Sequence, residues 1–369
     1  MLSPKPGNAP SCLRRLVGLF SLCALLVALP ASQATAQQTI PSYREYDGSF
    51  FLPFGPRSGF ESELTVRVRI NGGPITRLQL DTGSTGVVLG QELVRSVDKS
   101  GQPDEFVYSS SGQVHHGYWN DVRIEFIDGH GLGPMRGMAS VVTIPALIVT
   151  NITCRPAIFP NACHAGPVKK RPAMLGIGLG SIARNALLNF APMNNGQMRR
   201  GFIIEPRGVR VGLTATDVPP GFSFVKLEQP AHPDAWRLWT LPTSDIRVTL
   251  ADGTHYEGRG RTLMDTGIGG MFLALPGAPT SGLIEPGAAV SVTPAWIGGR
   301  GPQMSFRLDD GRRDTPSARA ARWVKMGKDP GTSHPIPFVN TGLHPLAPYR
   351  YLYDADGGYW GLMAEQPRR

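Results

Sequence analysis

The chain has 369 residues, enough for two domains with cores of their own. Its 37 Lys and Arg outnumber 28 Asp and Glu, and the formal charge of +9 argues against an acid-stable digestive specialist. Nor does that excess mark a nucleic-acid partner, because Lys169-Lys170-Arg171, Arg199-Arg200 and Arg312-Arg313 are scattered, lack interleaved aromatics and sit beside Gly and Pro, as solvated loops do.

Residues 1–36 read as a secretory signal: Arg14 and Arg15, an apolar run from Leu16 to Leu29, then Ala34-Thr35-Ala36 as a small-residue cleavage site. Cleavage after Ala36 would start the mature chain near Gln37 and place it in the periplasm or outside the cell. An uncleaved anchor is the competing reading, which the well-formed cleavage site disfavours. The apolar run is 14 residues long, and no later segment approaches the roughly 20 that spanning requires. No membrane span is therefore expected in the mature chain. Losing Lys5, Arg14 and Arg15 takes the formal charge from +9 to +6. Cys12 and Cys23 leave as well. Cys154 and Cys163 remain in an oxidising compartment and are expected to pair, since nothing nearby has the spacing of a four-ligand zinc site and His164 alone is insufficient.

The rest predicts short strands punctuated by Gly and Pro, hence a mainly β fold. Val66 to Ile70 alternates as a half-buried strand, Asn71-Gly72 makes a hairpin turn, and Ile75 to Leu80 runs into Asp81-Thr82-Gly83-Ser84. Val141 to Val149 is an apolar run of strand length, and Ile182 to Phe190 is the one stretch with a helical period. Phe202-Ile203-Ile204 and Val209-Arg210-Val211 flank Pro206-Arg207-Gly208 as two strands. Pro219-Pro220-Gly221 reads as a crossing between an N-terminal lobe, residues 37–218, and a C-terminal lobe, residues 219–369. In the second lobe the plan repeats: Ile246 to Leu250 alternates, Asp252-Gly253 turns, and Arg261 to Met264 runs into Asp265-Thr266-Gly267-Ile268. The two aspartates lie 184 residues apart, too far for a solenoid repeat and suited to two similar lobes that each bring one carboxylate to a shared cleft. Near the end, Tyr349 to Tyr353 and Tyr359 to Met363 form a hairpin around Asp354-Ala355-Asp356-Gly357-Gly358. Asp354, Asp356 and Glu365 fit calcium-loop positions, but Tyr359 stands where such a loop needs Gly.

These residues resemble the pepsin-like aspartic proteases, a two-lobed family in which each lobe donates one Asp-Thr-Gly. Tyr108-Ser109-Ser110-Ser111-Gly112 sits where that family has the tyrosine of its β-hairpin flap. Met174-Leu175-Gly176-Ile177-Gly178 looks like its apolar-apolar-Gly segment, which threads the active-site loop. Tyr351 to Asp354 and Tyr359 to Leu362 look like the closing hairpin of the second lobe. The resemblance implies a two-lobed acid-protease fold with the cleft between lobes, Asp81 and Asp265 as the catalytic pair, and Thr82 and Thr266 bracing the loops. It also implies Ser84 as a carboxylate donor, Tyr108 as the flap residue, and a monomer acting on a peptide or protein substrate. Three departures stand out. Ile268 replaces the Ser or Thr that would donate to the second carboxylate, so one support is expected to be missing and the activity optimum to move toward neutrality. Phe338-Val339-Asn340-Thr341-Gly342 replaces the second apolar-apolar-Gly segment. The stretch from Asp81 to Tyr108 is short.

The chemistry needs little more than the pair. Two carboxylates within hydrogen-bonding distance hold one proton between them, so one can take a proton from an attacking water while the other protonates the carbonyl oxygen. No metal, cofactor or covalent nucleophile is required, and Gly83 and Gly267 let backbone amides approach the carboxylates. The chain lacks a Gly-x-Ser-x-Gly elbow and a His-Glu-x-x-His helix, and in Gly176-Ile177-Gly178-Leu179-Gly180-Ser181 a Ser stands where a dinucleotide fingerprint needs Gly. His115-His116 is expected to be polar surface. The competing function is a catalytically weak or inactive scaffold that binds a peptide or glycan, favoured by Ile268 and the altered second-lobe segment.

Overall fold

The computed structural model describes residues 39–127, 140–159, 162–168, 171–231, 238–308, 319–328 and 333–365. The expected signal sequence, Lys169-Lys170 and Arg312-Arg313 lie outside them. The fold is mainly β and two-lobed, as the resemblance implies, and its internal duplication shows in the strand order. In the first eight-stranded sheet, Ala173–Ile177 lies parallel to Ile75–Asp81 on one side and antiparallel to Thr85–Gly90 on the other, and Thr85–Gly90 then pairs in parallel with Val141–Cys154. In the second, Phe338–Asn340 lies parallel to His255–Leu263 and antiparallel to Gly270–Ala274, which pairs in parallel with Arg319–Val324. Four strands in one order with one set of directions occur twice.

Local sequence explains the hairpin that feeds each motif. Asn71 and Gly72 both have positive φ (50° and 68°), the backbone a two-residue hairpin turn needs, and they join Thr65–Ile70 to Ile75–Asp81. Val66, Val68 and Ile70 are buried while Arg67 and Arg69 are not, so the alternation fixes which face meets the core. A third, six-stranded antiparallel sheet joins the ends of the chain in the order Phe50–Pro53, Gly208–Val211, Gly201–Glu205, Tyr349–Asp354, Tyr359–Ala364, Ser223–Lys226. Cys154 and Cys163 form a disulfide. No helix among the described residues is long and apolar enough to cross a membrane.

Two sequence readings are corrected. The helical period from Ile182 to Phe190 does not make a helix but two short 3-10 turns, Ile182–Arg184 and Ala186–Leu188. Between them Asn185 is extended and its side chain accepts from Leu187 N at 3.1 Å, a local bond that competes with helix continuation. Arg199 is no solvated loop cation. Its Nε and a terminal nitrogen grip the fully buried Asp354 at 2.9 and 3.1 Å, and Gly357 N donates to the same carboxylate, which locks the closing hairpin to Gly201–Glu205.

Candidate active site

Each aspartate is delivered by a strand that is fixed before it arrives. Leu78 and Leu80 are buried, and Asp81, at the strand's end, lies opposite Gly176 of the threaded segment. A Cβ on Gly176 would stand 2.7–2.9 Å from Gly86 and Ser84, so only glycine passes there. In the second half Asn340 lies opposite Leu263 and Phe272, as Met174 lies opposite Gln79 and Val88 in the first. That register puts Gly342 in the place of Gly176, where its φ of 66° and a virtual Cβ 2.2 Å from Gly270 O again demand glycine. The segment that departs from the family in sequence therefore threads the second loop in the same way.

The two loops meet through a reciprocal brace. Thr82 N donates to Thr266 Oγ1 and Thr266 N to Thr82 Oγ1, both at 3.0 Å. Thr266 Oγ1 donates to Leu80 O at 2.8 Å, and Thr82 Oγ1 donates to Met264 O. Both threonines are buried. This leaves the carboxylates face to face over two glycines: a Cβ on Gly83 would fall 2.4 Å from Asp265 Cγ, and one on Gly267 2.5 Å from Asp81 Oδ1. Gly83 N donates to Asp81 Oδ1 and Gly267 N to Asp265 Oδ1, each at 2.8 Å. Gln79 Nε2 adds a crossing bond to Gly267 O at 3.1 Å.

Outer support differs between the halves. Ser84 Oγ donates to Asp81 Oδ2 at 2.5 Å. The expectation that Asp265 lacks such a donor, because Ile268 follows its glycine, is wrong: Asn340 Nδ2 donates to Asp265 Oδ2 at 2.7 Å. Sequence reading missed Asn340 because it lies 75 residues from its partner, although the glycine two residues on kept its place in the thread. Burial raises both carboxyls above their ordinary range, and Asp265 is raised well above it, with the Asp81 charge the next cause. The four donors oppose that rise. Two such groups in contact titrate as a pair, and their mutual repulsion favours the state that holds one proton between them.

The hairpin of Pro103–Tyr108 and Gln113–Phe126 lies over this pair. Tyr108 packs between the rings of Phe106 (4.9 Å) and His115 (5.0 Å), and burial, then the Asp81 charge, push its phenol well up. His115 is not polar surface. It is 2% exposed, bonds Gln113 Oε1 through Nε2 at 2.7 Å, and burial, then His116, lowers it to about 4. The surface reading failed because the Tyr108 ring packs on His115 and closes that face of the strand. His116 does face outward, toward Thr153 and Glu105. The hairpin tip is tied to the start of the disulfide loop: Gly112 O accepts from Arg155 N at 2.9 Å, Ser110 O from Phe159 N at 2.9 Å and Ser109 O from Ile158 N at 3.3 Å. Phe159 then reaches the other half, where a Cβ on Gly270 would lie 2.5 Å from its ring, and it meets Phe272 at 6.3 Å. Beneath lies a cleft of about 1690 Å³, lined from both halves by Asp81, Asp265, Tyr108, Ile158, Met174, Ile268, Phe272 and Phe338 among others.

Among solved structures, the chain is similar to an aspartic proteinase from Irpex lacteus, at 14% identity and a TM-score of 0.48, over 86% of this chain and 98% of that one. No protein-family model matches the chain, and no curated protein matches it in sequence.

Proposed function

We propose that the chain is an exported aspartic endopeptidase that hydrolyses peptide bonds with a water activated between Asp81 and Asp265. The observation that carries this reading is the buried carboxylate pair, each member held by one glycine N–H and one side-chain donor, with both groups raised in pKa. In that pair the ionised member removes a proton from the water as its oxygen attacks the peptide carbonyl carbon. The protonated member gives its proton to the carbonyl oxygen, and collapse of the tetrahedral intermediate expels the amine after proton transfer to nitrogen. Tyr108 and the hairpin exclude bulk water above the pair. Ile268, Phe272, Phe338 and Met174 give the cleft apolar walls for the side chains flanking the scissile bond. Export through residues 1–36, lobes dividing at 218/219, and action as a monomer on peptides or proteins belong to the same proposal, and the disulfide supports an oxidising compartment. The binding-scaffold alternative drew on Ile268 and the altered thread; the Asn340 donor to Asp265 and the place of Gly342 in the thread support the enzyme reading instead.

The test is cleavage of a diverse peptide library from acid to neutral pH by wild type, Asp81→Asn and Asp265→Asn. Each single variant is expected to lose about 10³-fold or more in kcat, and the double variant hardly more, because the two residues act as a unit. Folded wild-type protein that cleaves nothing across that range overturns the proposal.

A further inference from the structure

One oxygen of each carboxylate, Oδ2, accepts from a side-chain donor in both halves, but from residues at different places in the fold. In the first half the donor is Ser84, on the loop just after the motif, and the thread position behind it is Met174. In the second half the matching loop position is Ile268, and the matching thread position is Asn340. Polar and apolar side chains have changed places across the same carboxylate. We propose that Asn340 is the positioning residue for Asp265, doing from the thread what Ser84 does from the loop, and that this exchange frees Ile268 to form an apolar wall of the cleft beside Asp265. The proposal rests on the aspartic-protease reading and deepens it.

Geometry fixes the sense of the Asn340 amide. Its Oδ1 accepts from Gly342 N at 2.9 Å, so its NH₂ must face Asp265. The side chain is 2% exposed, and the backbone that carries it is pinned by Thr341 N to Leu263 O and Leu343 N to Ile268 O, both at 2.9 Å. An amide nitrogen is a donor only, whereas a serine hydroxyl can donate or accept. With Asn340 Nδ2 on Oδ2 and Gly267 N on Oδ1, neither of these two partners of Asp265 can accept a proton from it. The proton of the pair is therefore directed to the side that faces Asp81, where the reaction uses it. A loop hydroxyl at 268 would give a similar bond but would place a polar group on the cleft surface.

The experiment compares Asn340→Ala, Asn340→Leu, Ile268→Ser and the two double variants. Loss of the Asn340 donor disfavours the ionised pair, so the pH–rate profile should move up by about one unit and kcat fall on the order of tenfold. Adding Ile268→Ser should restore most of both in either Asn340 background. Ile268→Ser alone should keep the profile in place and raise KM several-fold for peptides with bulky apolar side chains flanking the bond. A merely structural role for Asn340 would not be repaired from a different chain segment. Two further readouts need no turnover, so a failure of the protease reading stays distinct from a failure of this one. The wild-type Asn340 side-chain amide resonances should shift with the titration of the pair, and the fall in Tm with rising pH should extend about one unit higher in the Asn340 variants. Profiles and Tm curves unmoved by the Asn340 variants, amide resonances indifferent to that titration, or no repair by Ile268→Ser would each overturn the assignment.

Discussion

At the floor of the cleft Thr82 and Thr266 make the same bonds into each other's loop, and Gly83 and Gly267 press against each other's carboxylate. Two residues beyond the aspartates the likeness holds; at the third it stops, with Ser84 on one side and Ile268 on the other. Within the two motifs the positions that match are those whose contacts cross between halves, where a change in one loop would misplace the other. The positions that differ make contacts within one half, and there only the delivery of a donor to one oxygen matters, from whichever segment can reach it. Within the motifs pseudo-twofold symmetry is thus enforced where the halves touch and relaxed where they do not, while two residues before Asp81 the side chain of Gln79 crosses from a single side, its counterpart being Leu263.

The strongest challenge to that comparison is the brace itself. Thr82→Val and Thr266→Val each remove an acceptor from a buried backbone N–H and a donor from a buried carbonyl, and each should cost about 2–4 kcal/mol in urea unfolding. If the halves are equivalent at their contact, the two losses should agree to within about 0.5 kcal/mol; a clear inequality breaks the symmetry claimed for it. A smaller effect is expected one step out, where Ser84→Ala and Ile268→Ala should behave unlike. Losing the Ser84 hydroxyl should move the acid limb of the pH–rate profile up by about one unit, whereas Ile268→Ala should leave the limb in place and act on KM. Equal shifts would show that the loop position supports both carboxylates after all. The smallest effect concerns stability. Both carboxyls are raised above their unfolded values, so folding binds a proton, and the stability this contributes is present below about pH 4 and lost as pH rises through the folded pKa values. Asp81→Asn and Asp265→Asn remove the repulsion within the pair and should flatten that decline, gaining about 2–4 °C in Tm at neutral pH relative to wild type. Parallel curves for wild type and both variants would mean that the carboxylates do not share a proton.

What could be read from the chain follows the range of the interactions. Both hairpins before the motifs, the closing hairpin and the disulfide were legible, because Asn71-Gly72, the alternating strands and two remaining cysteines are local or exclusive signals. Asn340 was not, since its role exists only once Phe338–Asn340 is threaded between strands from elsewhere in the sequence. His115 was misjudged for a related reason: the ring that covers it belongs to Tyr108 on the partner strand of the hairpin, while its neighbour His116 faces outward. At Ile182 to Phe190 the apolar spacing suited a helix, but Ala186, Leu187 and Leu188 are all buried, and Asn185 spends its side chain on the local backbone.

The tie between the hairpin tip and the disulfide loop changes what opening the cleft must involve. Ser109, Ser110 and Gly112 each lend a carbonyl to Arg155–Phe159, so a hairpin that rose alone would leave three acceptors without their partners. Hairpin and loop therefore form one joined roof, rooted in one half of the molecule and resting through Phe159 on Gly270 of the other. The roof of the cleft thus rests at the far bank on a residue three places beyond the second motif.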